Sequence, residues 1–209
     1  MCSDAKLVAE TPAAVIKMWR SDYDNATAYS HSEHRHGLQF VNCAGVQLDG
    51  ITVQQTGGDG VYFRNVTDVS ARRVTVSGAY RNGVTIVSWS NVLLEDWVID
   101  DVNGTAPRSG VDFEPNVADM VGNIAHLEEL SNITLRRVAV SNVGGCGIEV
   151  KHAWAPDPDT PTPMTIFLDS CSVTGADRAG LAVAPVSPGA QGRIVVANMT
   201  VADTAARAL

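Results

Sequence analysis

Six glycines, each opening an alternating apolar stretch, recur along this chain: Gly37-Leu-Gln-Phe, Gly60-Val-Tyr-Phe, Gly83-Val-Thr-Ile, Gly110-Val-Asp-Phe, Gly147-Ile-Glu-Val and Gly180-Leu-Ala-Val. The steps between them are 23, 23, 27, 37 and 33 residues. Self-similarity at such a period marks a repeat architecture. Each unit carries a second alternating segment, among them Val69-Ser-Ala-Arg-Arg-Val-Thr-Val, Ile133-Thr-Leu-Arg-Arg-Val-Ala-Val and Ile166-Phe-Leu-Asp-Ser-Cys-Ser-Val. Alternation with period 2 means strands with one buried face. Three short strands in about 23 residues leave no room for a crossover helix. The chain must coil, setting each strand parallel to its counterpart one turn earlier. The expectation is an all-β fold, a right-handed parallel β-helix (β-solenoid) of about six coils.

Residues 1–35 read as an irregular segment or first partial coil, with a strand at Val15-Ile-Lys-Met18, and residues 36–209 as the β-helix domain. The longer fourth and fifth units carry insertions near Ala118–His126 and Ala153–Pro163, the latter Pro-rich and unfit for a central ladder. The last unit finishes where another glycine strand is due, which suggests a fragment of a longer solenoid.

A net charge of -8 with no basic cluster disfavours nucleic acid as a partner. No apolar run approaches the roughly 18–20 residues of a membrane span. No secretory leader opens the chain. Cys43, Cys146 and Cys171 have no metal spacing and read as small buried residues. The Asn-x-Ser/Thr triplets at Asn25, Asn65, Asn103, Asn132 and Asn198 fit solenoid turns and strands.

The glycines also serve as a ruler. With each at position 0, positions +1 and +3 are apolar in all six units and face inward. Position +2 then faces outward: Gln39, Tyr62, Thr85, Asp112, Glu149 and Ala182. So does position +4: Val41, Arg64, Val87, Glu114, Lys151 and Ala184. The preceding turn adds Arg35, Asp59, Arg81, Arg108 and Arg178. Asp112 should therefore stack beside Glu149, and Glu114 beside Lys151, at the strand spacing of about 4.8 Å. Like charges directly opposed destabilise a sheet, so this placement points to function, and at least one carboxyl pKa should rise.

With Glu33-His-Arg-His-Gly37, Gly57-Gly-Asp-Gly-Val-Tyr62 and Arg81-Asn-Gly-Val-Thr-Ile-Val-Ser88, the segment Gly110-Val-Asp-Phe-Glu-Pro-Asn116 resembles the right-handed parallel β-helix proteins of the pectate-lyase-like superfamily. The nearest likeness is to a bacterial group with GGDGIY, RQGISV and GIDFEPN coils, over roughly residues 30–209. That resemblance implies a carbohydrate-active enzyme, a hydrolase or a lyase, on an extracellular or periplasmic parent protein. The Gly-His-Gly and Arg-Ile-Lys motifs of polygalacturonases are absent, as is the Asp-Pro-His-Glu of alginate epimerases.

Two chemistries fit the same patch. Hydrolysis would use Asp112 with Glu149 or Glu114. Elimination from a uronic acid would take Lys151, Tyr62 or His152 as base. Its carboxylate would be neutralised by Arg64, Arg81, or a Ca²⁺ held by Asp112, Glu114 and Glu149. Arg35, His36 and Asp59 stand at the groove edge, and Trp154 is placed to stack on a sugar. The run His31–His36 lacks the further ligands of a zinc site. Trp89 and Trp97 read as packing residues. The competing reading is a non-catalytic carbohydrate-binding or surface module; a plain spacer has no need of clustered carboxylates.

Overall fold

The computed structural model describes residues 2–25, 27–29, 34–115, 130–151, 164–184 and 192–205. The chain winds into a parallel β-helix with three ladders. The glycine ladder takes one strand from each coil: Leu38–Ala44, Val61–Arg72, Val84–Ile86, Val111–Phe113, Ile148–Val150 and Leu181–Val183. Two of these strands, Leu38–Ala44 and Val61–Arg72, run on into the second ladder. That ladder continues through Trp89–Glu95, Leu130–Arg136, Met164–Asp169 and Gly192–Ala197. The third ladder stacks Val15–Lys17, Thr52–Gln54, Thr75–Ser77, Val98–Val102, Ala139–Val143, Ser172–Ala176 and Thr200–Ala202. Every pairing is parallel, so coil follows coil without reversal.

The inward columns hold in the four middle units, while Leu38, Phe40 and Leu181 are partly buried and Val183 is exposed. Val61, Val84, Val111 and Ile148 are completely buried, as are Phe63, Ile86, Phe113 and Val150. Each such side chain contributes roughly 1.5–3 kcal/mol on leaving water. Trp89 and Trp97 join this core, and Trp97 Nε1 donates to the Ala71 carbonyl at 2.9 Å. Cys43, Cys146 and Cys171 are buried thiols.

The anchor position excludes a side chain for a steric reason. A Cβ on Gly37, Gly60, Gly83, Gly110, Gly147 or Gly180 would overlap Val53, Val76, Ile99, Val140, Val173 or Val201 respectively. Each of these is a third-ladder residue of the same coil. The corner between third and glycine ladders is thus so narrow that backbone meets a branched side chain directly.

The constant spacing of the second segments has a backbone cause. Between second and third ladders, Gly50, Arg73, Asp96, Arg137, Ser170 and Asn198 each take φ between 51° and 69°. One left-handed residue turns the chain and keeps the register. Asn65, Asn132 and Asn198, three of the Asn-x-Ser/Thr positions, occupy left-handed bends of this kind, where asparagine is better tolerated than most residues.

Residues 2–17 supply three short strands that stack on the next coil, one of them at the expected Val15–Lys17. Cys2–Ser3 pairs with Cys43–Ala44, Lys6–Val8 with Gln47–Asp49, and Val15–Lys17 with Thr52–Gln54. A single helical turn, Arg20–Tyr23, follows. Both insertions lie outside the described residues.

The outer face of the second ladder alternates in charge. Asp49, Arg72, Glu95, Arg136 and Asp169 succeed one another in register across five strands. Glu95 contacts Arg72 at 3.2 Å and Arg136 at 3.5 Å, and Arg136 contacts Asp169 at 3.2 Å.

Gly83→Ala is expected to lower unfolding free energy by about 1–3 kcal/mol, the usual cost of overpacking, measured by urea denaturation. Gln39→Ala, at an exposed outward position of the same ladder, should stay within about 0.5 kcal/mol of the wild type.

Candidate functional site

The outward column of the glycine ladder is in the expected register. Gln39 pairs with Tyr62, Tyr62 with Thr85, Thr85 with Asp112, Asp112 with Glu149 and Glu149 with Ala182. What differs is the solvent. Thr85 and Asp112 point away from the core yet are fully buried. A second polar layer, formed by the turn residues and the +4 side chains, covers them.

That layer converges on one ammonium. Lys151 Nζ lies 2.9 Å from Asp112 Oδ2, 3.5 Å from Glu114 Oε1 and 3.9 Å from Glu149 Oε2. The ruler placed Lys151 beside Glu114, but its shortest contact is the diagonal one to Asp112. A long flexible side chain turns toward the most deeply buried carboxylate. Arg81 spans the next gap, 3.0 Å from Glu114 Oε2 and 3.3 Å from Asp59 Oδ2. Glu149 accepts from the Ser109 hydroxyl at 2.8 Å.

A third feature escapes the outward columns altogether. The residue just before each anchor glycine forms a ladder of its own. The amide of Asp59 donates to His36 Nδ1 at 3.3 Å, that of Asn82 to Asp59 Oδ1 at 3.1 Å, and that of Ser109 to Asn82 Oδ1 at 3.0 Å. Each side chain satisfies a backbone N–H of the following coil, as buried donors require. Asn82 is the junction with the outward column, because its Nδ2 donates to both Thr85 Oγ1 and Asp112 Oδ2 at 3.0 Å. Asn82 and Ser109 are site residues that the outward columns alone do not flag. The signal in the sequence is the succession His36, Asp59, Asn82, Ser109 at position -1.

Burial decides the protonation states. Asp112 is pushed up to about 7 by desolvation, against the pull of Lys151 and with the added repulsion of Glu114 and Glu149. Its Oδ2 takes both Asn82 and Lys151. Its Oδ1 is buried without a partner among the described residues. Asp59 is pushed up to about 6 by burial, only partly offset by Arg81, Thr85 and the Asn82 amide. His36 is lowered to about 4 by burial and by the charges of His34 and Arg81. Its Nδ1 accepts the Asp59 amide, so the neutral imidazole carries its proton on Nε2. Burial works against the Lys151 ammonium, but the three carboxylates outweigh it and hold the group above its ordinary value.

The remaining candidates divide. Tyr62 stacks on His36 with ring centroids 4.6 Å apart, which joins both to Asp59. Arg64 is half-buried and in register with Val41. The Arg35 guanidinium sits 5.1 Å from the rings of both Tyr23 and Tyr29, on the N-terminal side of the groove edge. His152 and Trp154 lie outside the described residues. The calcium reading does not fit. Lys151 Nζ stands at the focus that a cation shared by Asp112, Glu114 and Glu149 would occupy, and an ammonium there supplies the compensating charge.

Residues 15–183 match the family model described as the right handed beta helix region, and the chain belongs to that family. It is similar to the curated protein named Uncharacterized protein YclG, of Bacillus subtilis (strain 168), with 26% identity over 156 residues. The match covers 63% of this chain and 26% of the relative, so the chain spans about a quarter of that protein's length. No solved structure matches it.

The carboxyl assignments have a thermodynamic consequence. Asp59 and Asp112 hold protons more tightly folded than unfolded, where their value is 3.8. On their account stability falls as pH rises from about 4 to about 7. His36, with 6.5 unfolded and about 4 folded, acts in the opposite sense between those values. Asp112→Asn removes one falling contribution, so the variant should gain stability relative to the wild type as pH rises from about 4 to about 7. Chemical denaturation at a series of pH values checks this. A difference that stays constant over the range would mean that Asp112 is ionised throughout.

Proposed function

We propose that this chain carries the active face of a carbohydrate-active enzyme, of the glycoside hydrolase type, which binds a polysaccharide along the outer side of the glycine ladder. One observation carries the reading. Asp112, Glu114 and Glu149 crowd onto Lys151, in a chain whose second ladder alternates its charges strand by strand. A protein that can alternate charge and does not do so here is spending stability on chemistry. The resemblance to the pectate-lyase-like superfamily supports a polysaccharide as substrate, and an extracellular or periplasmic setting for the parent protein.

Hydrolysis is preferred to elimination on the state of Lys151. An ammonium held charged by three carboxylates is a poor base for removing a carbon-bound proton. Two carboxylates at the groove suit glycoside cleavage better. Their contacts to one nitrogen keep all three acids inside the roughly 9.5 Å that bounds inverting pairs. Glu114, flanked by Arg81 and Lys151, suits the carboxylate that faces the developing positive charge or aligns water. Glu149, beside the Ser109 hydroxyl and against Asp112, suits the proton donor. Asp112 lies beneath them and sets the field through Lys151.

The complete burial of Asp112 favours a second reading, a non-catalytic carbohydrate-binding module in which the cluster is a rigid floor. Incubation with a polysaccharide panel separates the two. New reducing ends without the ultraviolet absorbance of an unsaturated uronide are expected. Glu114→Gln and Glu149→Gln should each lower kcat by about 10²–10⁴-fold, with KM changed only a few-fold. Unsaturated product would replace hydrolysis by elimination. Binding without product from the wild type would favour the module, and the absence of binding and product would sink both.

A further inference from the structure

Two of the four cysteines meet at the first coil. Cys2 and Cys43 are register partners on adjacent parallel strands, and their side chains therefore project to the same side. Strand neighbours stand about 4.8 Å apart, inside the roughly 4.4–6.8 Å between Cα atoms that a disulfide spans. Burial first, and the neighbouring Cys2 thiol after it, push the Cys43 thiol above its ordinary value. Cys43 also donates to the Val41 carbonyl at 3.5 Å. Cys43 is buried at the edge of the core, whereas Cys2 is exposed. Cys146 and Cys171 are buried in other coils.

The place matters because the first coil is thinly held. Its three strands, Cys2–Ser3, Lys6–Val8 and Val15–Lys17, are only two or three residues long, and each is paired to one neighbour among the described residues. Leu7, Val8 and Val15 are more than a third exposed. A covalent link at its start would hold the coil closed against fraying, since a cross-link removes most of the freedom of the opened state.

We propose that Cys2 and Cys43 form a reversible disulfide that staples the coil of residues 2–17 onto the next one, so that this junction responds to the thiol–disulfide poise of its surroundings. The inference is independent of any carbohydrate activity. The oxidant is a low-molecular-weight disulfide. The exposed Cys2 thiolate attacks it, forming a mixed disulfide and releasing one thiol. Cys43 then loses its proton and attacks the Cys2 sulfur, which forms the Cys2–Cys43 bond and expels the second thiol. One disulfide is reduced to two thiols as the protein dithiol is oxidised. Burial raises the Cys43 thiol, so its attack on the mixed disulfide at Cys2 quickens as pH rises.

The test equilibrates the full chain with mixtures of reduced and oxidised glutathione, traps free thiols by alkylation, and reads intact mass and linked peptides. The expected product is lighter than the reduced chain by two hydrogens, with the Cys2 and Cys43 peptides joined and Cys146 and Cys171 alkylated only after denaturation. The oxidised chain should melt a few degrees above the reduced one. Cys2→Ser, a change at an exposed site, should abolish both the link and the melting difference. A lasting mixed disulfide at Cys2, a dimer joined through Cys2, or a thiol pair that stays reduced in excess oxidised glutathione would each overturn the proposal.

Discussion

The narrow corner between the third and glycine ladders governs the rest of this molecule. Six glycines lie there against Val53, Val76, Ile99, Val140, Val173 and Val201, leaving no volume for a side chain. Backbone packed this closely has little freedom to slip along the coil axis. A shift of one residue would bring a Cβ into the corner and turn every inward side chain outward. Register is thereby shared by all three ladders. Everything functional follows from it, because Asp112 meets Glu149, and Asp59 meets Asn82, only when the coils stack residue on residue.

Against that scaffold the two outer faces behave differently. The second ladder sets Asp49, Arg72, Glu95, Arg136 and Asp169 in alternation, which lowers its own electrostatic energy. The glycine ladder gathers three carboxylates around Lys151 and two more charged groups, Arg81 and Asp59, beside them. The position -1 ladder makes this tolerable. His36, Asp59 and Asn82 spend their acceptors on backbone amides of the next coil, and Asn82 uses its donors on Thr85 and Asp112. A buried polar network of this sort is stable only when nearly every member is satisfied. Among the described residues, Asp112 Oδ1 and His36 Nε2 are buried in its interior without a partner, at groups whose proton affinities burial displaces.

Much of this was legible in the residues. The glycine spacing implied coils, and alternation separated Val111 and Phe113 from Asp112, because a strand has only two faces. The same ruler placed Asp112 opposite Glu149, as the register bears out. The depth of Asp112 was not legible. Periodicity tells which way a side chain points and says nothing of what lies over it. The cover comes from Arg81 and Asn82 of one coil and Lys151 of another. The role of Asn82 was hidden for a related reason. It stands outside the strand that supplies the alternation, and its partners are 27 and 30 residues away.

The sequence by itself determined the coil, the inward stacks and the list of charged groups on one face, since these depend on local period and on the size of a glycine. Tertiary structure alone decided which of those groups are dry and which nitrogen they share. It also decided that Lys151 chooses Asp112 over Glu114. Desolvation and three-dimensional distance set those outcomes, and neither quantity is defined along a single strand. The thiol pair divides in the same way. Cys2 and Cys43 are far apart along the chain, and only the closing of the first coil brings them side by side.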